Sequence, residues 1–281
     1  MILIADSGST KTSWLLISGS EILQEISTSG YNPYYYKDNG LIELIEIELL
    51  PQLISNKIER IHFYGSGCSS DINCTMVKSA LWQLFPNSSV EINHDLTGAA
   101  VALLKNKEGI ACILGTGSNS CFWDGKKVVG NVPSVGYLLG DEGSGTYIGM
   151  KILKGILEGK APQVITNNFY NNYKLDFEKV LTNIYSTSEP NRFFAGISKF
   201  AHEHMDNPWV FNTVKQAFND FIKNQIKMYP NYQDYEICFT GSIAYYFKDV
   251  LLEACKENEL KTGLIIRNPI EGLYTYHSQQ I

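Results

Sequence analysis

Short apolar runs alternate with polar, glycine-bearing turns along this chain, and that alternation predicts most of its elements. Residues 2–5, 13–18 and 21–27 read as three successive strands. The first two are joined through Asp6-Ser-Gly-Ser-Thr-Lys-Thr12, the last two through Gly19-Ser20. Strand, turn, strand is an antiparallel opening, whereas a dinucleotide-binding fold passes straight from its first strand into a helix. A helical period starts near Asn39 and runs through Leu41, Leu44, Ile45, Leu49 and Leu50. Residues 58–64 form a strand ending at Gly65-Ser-Gly67. Residues 71–85 form a helix with Ile72, Val77, Leu81 and Phe85 on one stripe. A short strand over 90–93 delivers His94-Asp95 to an alanine-rich helix over 97–105.

The second half opens in the same way. Strands over 110–114 and 120–123 flank Gly115-Thr-Gly-Ser-Asn119, and Asp124-Gly125 marks a hairpin. Residues 133–140 form a loop, and Gly140-Asp-Glu-Gly-Ser-Gly145 opens a helix to about residue 157. Residues 175–184, 197–202 and 209–227 are helical, with Pro190 as an interruption. A strand over 235–240 turns at Gly241-Ser242 into a helix over 243–258. The tail holds a strand over 263–267 and a helix after Pro269.

The recurring glycine turns carry the chemistry. Glycine lets successive backbone N–H groups converge on one anion, and serine and threonine hydroxyls add donors. Three such turns after three strands suggest two facing lobes that cradle a nucleotide. Their donors are Ser9, Thr10, Lys11 and Thr12, then Thr116, Gly117 and Ser118, then Gly241 and Ser242. The first turn is not a Walker A loop.

Six further residues stand at turns. Asp6 leaves the first strand where a carboxylate can hold Mg²⁺ through water, or can simply cap its own turn. Asp95 leaves another strand, placed to take a proton from a hydroxyl or to cap the following helix. His94 is read as packing or hydrogen-bonding nearby. Asp141 and Glu142 stand between glycines, fit to meet sugar hydroxyls or metal-bound water, or to cap a helix. Asn32, in the polar loop 29–33, can pair with a hydroxyl or acetamido group, or shape an Asx turn before Pro33.

Composition narrows the field. The 281 residues are enough for two domains, and the net charge of −6 comes without a basic block of the kind a nucleic-acid surface needs. The six cysteines form no C-x-x-C pair, which argues against a zinc knuckle or dithiol site. No run approaches 18 apolar residues, so no membrane span is predicted and the chain is expected in the cytoplasm.

Taken together, Asp6–Thr12, Gly30-Tyr-Asn-Pro33, Asp95 with Gly98-Ala99, Gly115–Asn119, Gly140–Gly145 and Gly241-Ser242 resemble the N-acetylglucosamine kinase family. That family lies within the BadF/BadG/BcrA/BcrD-type ATPases of the actin, sugar kinase and Hsp70 superfamily. The resemblance implies an α/β fold of two ribonuclease H-like domains, each with a five-stranded mixed sheet, over 1–108 and 109–281. The segment from about 269 is expected to return to the first domain. It implies ATP and Mg²⁺ in the cleft, with Asp6 serving the metal and the glycine turns serving the phosphates and adenosine. Asn32, Asn119 and Asp141 match sugar-site positions, and Asp95 matches the general base on the C6 hydroxyl of an amino sugar. The expected partners are the sugar and a second copy of the chain. Residues 146–234 carry no matching motif, and the family's alanine- and glycine-rich final helix is replaced by Glu271-Gly-Leu-Tyr-Thr-Tyr276.

Two other classes stand beside this reading. One is a dehydratase activator, whose [4Fe–4S] cluster sits between subunits; Cys68 and Cys74 are the near pair outside predicted strands, at a spacing that fits no known cluster run. The other is a sugar or nucleotide sensor without turnover, against which stands an acid at position 95 that a binder does not need.

Overall fold

In the computed structural model, all residues are described except 9, 35–38, 175–176, 187–188 and 280–281. β1 (Ile2–Ser7) is apolar on both faces because it is a central strand, covered on both sides. β2 (Lys11–Ser18) runs back beside it, with Ser7 opposite Thr12, and β3 (Glu21–Ser29) continues the antiparallel ladder. The next helix is not uniform. α1 (Gly40–Leu44) widens into a π turn over Ile45–Leu49 and tightens to 3₁₀ over Leu50–Gln52. β4 (Arg60–Gly65) and β5 (Ser89–His94) lie parallel to β1 on its other side, giving the order β3-β2-β1-β4-β5. α2 (Asp71–Leu84) buries Asn73, Val77, Ala80 and Leu81, while Ile72 is 80% exposed. The stripe expected through Ile72 is thus corrected: five positions from Val77, it falls outside the i, i+3, i+4 spacing of one face. α3 (Asp95–Leu104) follows β5 directly, and Gly98 lets it approach β4 closely, because a Cβ there would stand 2.9 Å from Tyr64 Cβ.

The second sheet repeats the first. β6 (Glu108–Leu114) is its central strand, β7 (Ser118–Asp124) pairs antiparallel with it, and β8 (Val128–Gly130) forms one edge. β9 (Ile237–Thr240) and β10 (Thr262–Ile266) lie on the parallel side. The order β8-β7-β6-β9-β10 has the same chain logic as β3-β2-β1-β4-β5. The Gly115 turn therefore corresponds to the turn after Asp6, and the exit of β9 to the exit of β4.

Helices separate β8 from β9: α4 (Gly145–Leu157), α5 (Gln163–Tyr173), α6 (Phe177–Tyr185), α7 (Pro190–Glu203) and α8 (Pro208–Asn224). They pack Phe169, Phe200, Phe218 and Phe221 into a core with Phe239 of β9. α5 escapes sequence reading because four asparagines, poor helix formers, dilute a stripe of only Ile165 and Phe169. Pro190 starts α7 rather than interrupting a helix, since a missing N–H costs nothing in the first turn. The helix expected over 243–258 breaks at buried Phe247 into α9 (Ser242–Tyr246) and α10 (Lys248–Glu257).

The chain falls into two units: Met1–Lys107, Gly125–Val128 and Asn268–Ile281, and Glu108–Asp124 with Val129–Arg267. α11 (Ile270–Ser278) belongs to the first. Tyr274 donates its hydroxyl to Ser20 O at 2.6 Å, and His277 Nε2 meets the Tyr64 hydroxyl at 2.9 Å. The His277 ring also stacks on His62, centroids 3.9 Å apart. Among the described residues, no helix is long and apolar enough to cross a membrane.

Candidate active site

In the first unit, three strands of one sheet deliver the polar groups. The turn after β1 is tight, with Gly8 N–H bonded to Lys11 O at 2.9 Å. Behind it Ser7 Oγ donates to Tyr31 O at 3.3 Å and pairs with Thr12 Oγ1 at 2.8 Å. Thr12 is buried, so its hydroxyl braces the turn. Thr10 and Lys11 are exposed, and Ser9 lies outside the described residues. Asp6 precedes this turn. Burial pushes its carboxyl up to about 7, the charge of Asp95 adds to the rise, and Lys11 opposes it.

Asp95 is the first residue of α3 but not its cap. His94 takes that place, its Nδ1 accepting Leu96 N–H at 3.2 Å. The capping alternative for Asp95 is thereby removed, and its carboxylate is left for other work. Asp95 Oδ1 lies 2.9 Å from His94 Nδ1, yet that contact lacks hydrogen-bond geometry, and the buried oxygen has no hydrogen-bond partner among the described residues. Burial alone would lower the His94 pKa; Asp95 outweighs it through proximity and charge, and the imidazole titrates above its usual value. Asn32 is buried just past the end of β3, and its Oδ1 accepts Tyr34 N–H at 3.0 Å in an Asx turn. Its Nδ2 makes a long 3.5 Å contact to Ser66 Oγ.

In the second unit, the Gly115 turn closes through Gly115 N–H to Gly117 O at 2.9 Å. The start of α4 consumes its carbonyls: Gly145 N–H bonds Gly115 O at 2.8 Å, and Thr146 Oγ1 bonds Thr116 O at 2.7 Å. Ser144 caps α4 by accepting Tyr147 N–H, so neither Asp141 nor Glu142 does. Asp141 instead takes a left-handed backbone, φ 55°, and lays its carboxylate over the glycine turn. It accepts Ser134 Oγ at 2.9 Å and is hydrogen-bonded by the Ser118 backbone. Burial raises its pKa despite those bonds. A side chain at Gly117 would meet this carboxylate at 2.9 Å. Asn119 Oδ1 accepts Ser120 N–H at 2.9 Å and Asn131 Nδ2 at 3.1 Å.

Gly241 has φ 116° and ψ 161°, a region open essentially to glycine alone, and a Cβ there would collide with Leu114 O. It brings the exposed Ser242 and the start of α9 against the Gly115 turn. Thus the structure joins Thr116, Gly117, Ser118, Asp141, Asn119 and Gly241 in one unit, and Asp6, Thr10, Lys11, Asp95 and Asn32 in the other. His94, Ser134 and Asn131 were not singled out as site residues by the sequence. Only the helix-start position of His94 carried a signal.

No family model matches the chain, and no curated protein does. Solved structures do. A protein of Porphyromonas gingivalis described as a "putative N-acetylglucosamine kinase" is 38% identical, with 99% of each chain covered and a TM-score of 0.96. A protein of Chromobacterium violaceum with the same description is 15% identical over 98% of each chain, TM-score 0.72. A ROK family glucokinase of Streptomyces griseus, solved with glucose and AMPPNP, is 13% identical over 98% of this chain and 97% of that one, TM-score 0.58. The last two share the fold; the first, alike along the whole chain, shows that this protein belongs to the N-acetylglucosamine kinase family, among the actin-like sugar kinases.

Proposed function

We propose that the protein is an ATP-dependent kinase that phosphorylates the 6-hydroxyl of an amino sugar, N-acetylglucosamine first among them. The observation that carries this reading is Asp95: a carboxylate at a strand exit, relieved of capping, with one buried oxygen unpaired among the described residues and the charge of Asp6 acting on it. Asp95 accepts the proton of the acceptor hydroxyl as that oxygen bonds to the γ-phosphorus and the bond to the ADP oxygen breaks.

The donor set fits a magnesium ion and a nucleotide. Asp6 is held near neutrality by burial and by a like charge, and a bound cation relieves both penalties. Asp6 would hold Mg²⁺, which supplies charge neutralisation at the transferring phosphate. Thr10, Lys11, Thr116, Gly117 and Ser118 would hold the phosphates, and Gly241 and Ser242 the nucleoside side. Asn32, Asn119 and Asp141 are each braced by their own loop, the preorganisation that a sugar site requires, and we assign them to the acceptor.

The dehydratase-activator reading is not favoured. Cys68 is buried in the core of its unit, whereas a cluster shared between subunits needs cysteines exposed at their interface. Steady-state constants for N-acetylglucosamine, glucosamine and glucose, with the phosphorylated position read by NMR, test the proposal. The expected result is transfer to O6 and a preference for the 2-amino or 2-acetamido sugars, diminished in Asn32→Ala. Equal kcat/KM for all three, or transfer elsewhere, overturns it.

A further inference from the structure

His94 stands where serine, threonine, aspartate or asparagine ordinarily cap a helix. Its Nδ1 faces two claims at once. Accepting Leu96 N–H at 3.2 Å requires a bare lone pair. The same nitrogen lies 2.9 Å from Asp95 Oδ1, which is also an acceptor. Two lone pairs so close repel. A proton on Nδ1 reverses this: it gives Asp95 a charge-assisted hydrogen bond and strips the cap from Leu96. Asp95 Oδ1 is buried and has no hydrogen-bond partner among the described residues.

We propose that His94 is a positioning residue for Asp95: with Nδ1 bare it caps α3 and leaves the carboxylate free to act as base, and with Nδ1 protonated it captures the carboxylate in an ion pair. This rests on the reading of Asp95 as the base. Capture weakens the base by drawing its oxygen into a charge-assisted hydrogen bond with the ring and away from the acceptor hydroxyl.

Other titratable groups surround this pair at one remove or act on it directly. Asp6 at the end of β1 and Cys68 just beyond β4 act on Asp95; Lys11 of β2 acts on Asp6, and Tyr64 of β4 packs at Gly98 of α3 with His277 of α11 bonded to it. Burial sends Tyr64 and Cys68 far above neutrality and His277 down to about 3, so none of those three changes charge near pH 7. Asp6 does, and the experiment separates it from His94.

The imidazole C–H resonances of His94 are followed by NMR against pH in the full chain without ligand, in the native protein, Asp95→Asn and Asp6→Asn. His94 is expected to titrate above about 6.5, and Asp95→Asn to lower its midpoint by about one pH unit or more, with a smaller change in Asp6→Asn. An unmoved midpoint in Asp95→Asn overturns the proposal. The kinetic arm uses His94→Asn, which keeps a capping oxygen but removes the titration. The acid limb of kcat is expected to move down by about one pH unit while sugar KM changes less than about threefold. A limb that stays in place also overturns it. Absence of turnover with every sugar sinks the kinase reading instead, and the titration still judges the His94–Asp95 contact.

Discussion

Two histidines of one unit stand beside carboxylates at nearly equal distance and respond oppositely. His94 Nδ1 lies 2.9 Å from Asp95, and its pKa is raised; His62 Nδ1 lies 2.7 Å from Glu91, and its pKa is lowered. Neither contact has full hydrogen-bond geometry. Distance therefore does not decide. Exposure of the partner does: the Asp95 side chain is 22% exposed and the Glu91 side chain 66%, so water screens Glu91 far more. His62 also stacks on His277 and feels the Arg60 charge, and its own desolvation outweighs Glu91. One histidine is built to share its surroundings with a proton, the other to exclude it from the seat of α11.

The largest expected effect breaks the comparison at its carboxylates. Asp6→Ala, which removes the like charge beside Asp95 and the carboxylate assigned to Mg²⁺, should lower magnesium-dependent turnover by about 10³-fold or more, as expected when charge on the transferring phosphate loses its support. Glu91→Gln should leave turnover within about threefold. Comparable losses in the two variants would erase the distinction between the regions.

A stability effect of opposite sign comes next. Asp6 has a folded pKa near 7 against an ordinary value of 3.8, so the folded state holds more protons than the unfolded one between those values. Its contribution therefore favours folding at low pH and is lost as pH rises from about 4 through 7. Asp6→Asn, which abolishes the charge, should raise Tm at pH 8 by roughly 3–8 °C and by little at pH 4. Thermal melts across that range check it; a lower Tm at pH 8 would show that the carboxylate is not under strain.

The smallest effect sharpens the other side. His277 has its pKa lowered to about 3, by burial first and then by His62 and Arg60. A depressed histidine keeps its stability above the unfolded value near 6.5 and loses it as pH falls from there toward 3. His277→Gln retains a partner for the Tyr64 hydroxyl, and should flatten the decline of unfolding free energy between about pH 6.5 and 4. The loss of the stacked pair costs about 1 kcal/mol at pH 8. Urea unfolding at several pH values measures both.

Much of this was readable from residue order. Every strand but the short edge strand β8 stood in the apolar runs, and the glycine turns marked both central hairpins. The repeat of sheet order followed from the same strand–turn–strand opening in each half. What stayed hidden depends on partners. α5 is held by Ile165 and Phe169 against other helices, and its asparagines conceal it. Asp6 and Asp95 were visible as acids at strand exits, but their mutual repulsion is a tertiary fact. So is the closure of Asp141 over Gly117, which joins residues remote in sequence. The role of His94 as a cap was hidden because imidazole is rarely the oxygen-bearing residue that signals one.

Asp95→Asn, assayed for phosphate transfer to N-acetylglucosamine alongside calorimetric binding of the same sugar, tests the central claim most directly. Loss of basicity without loss of shape should reduce kcat by about 10²–10⁴-fold while the sugar Kd stays within about threefold. Turnover near that of the native protein would contradict the assignment of Asp95 as the base.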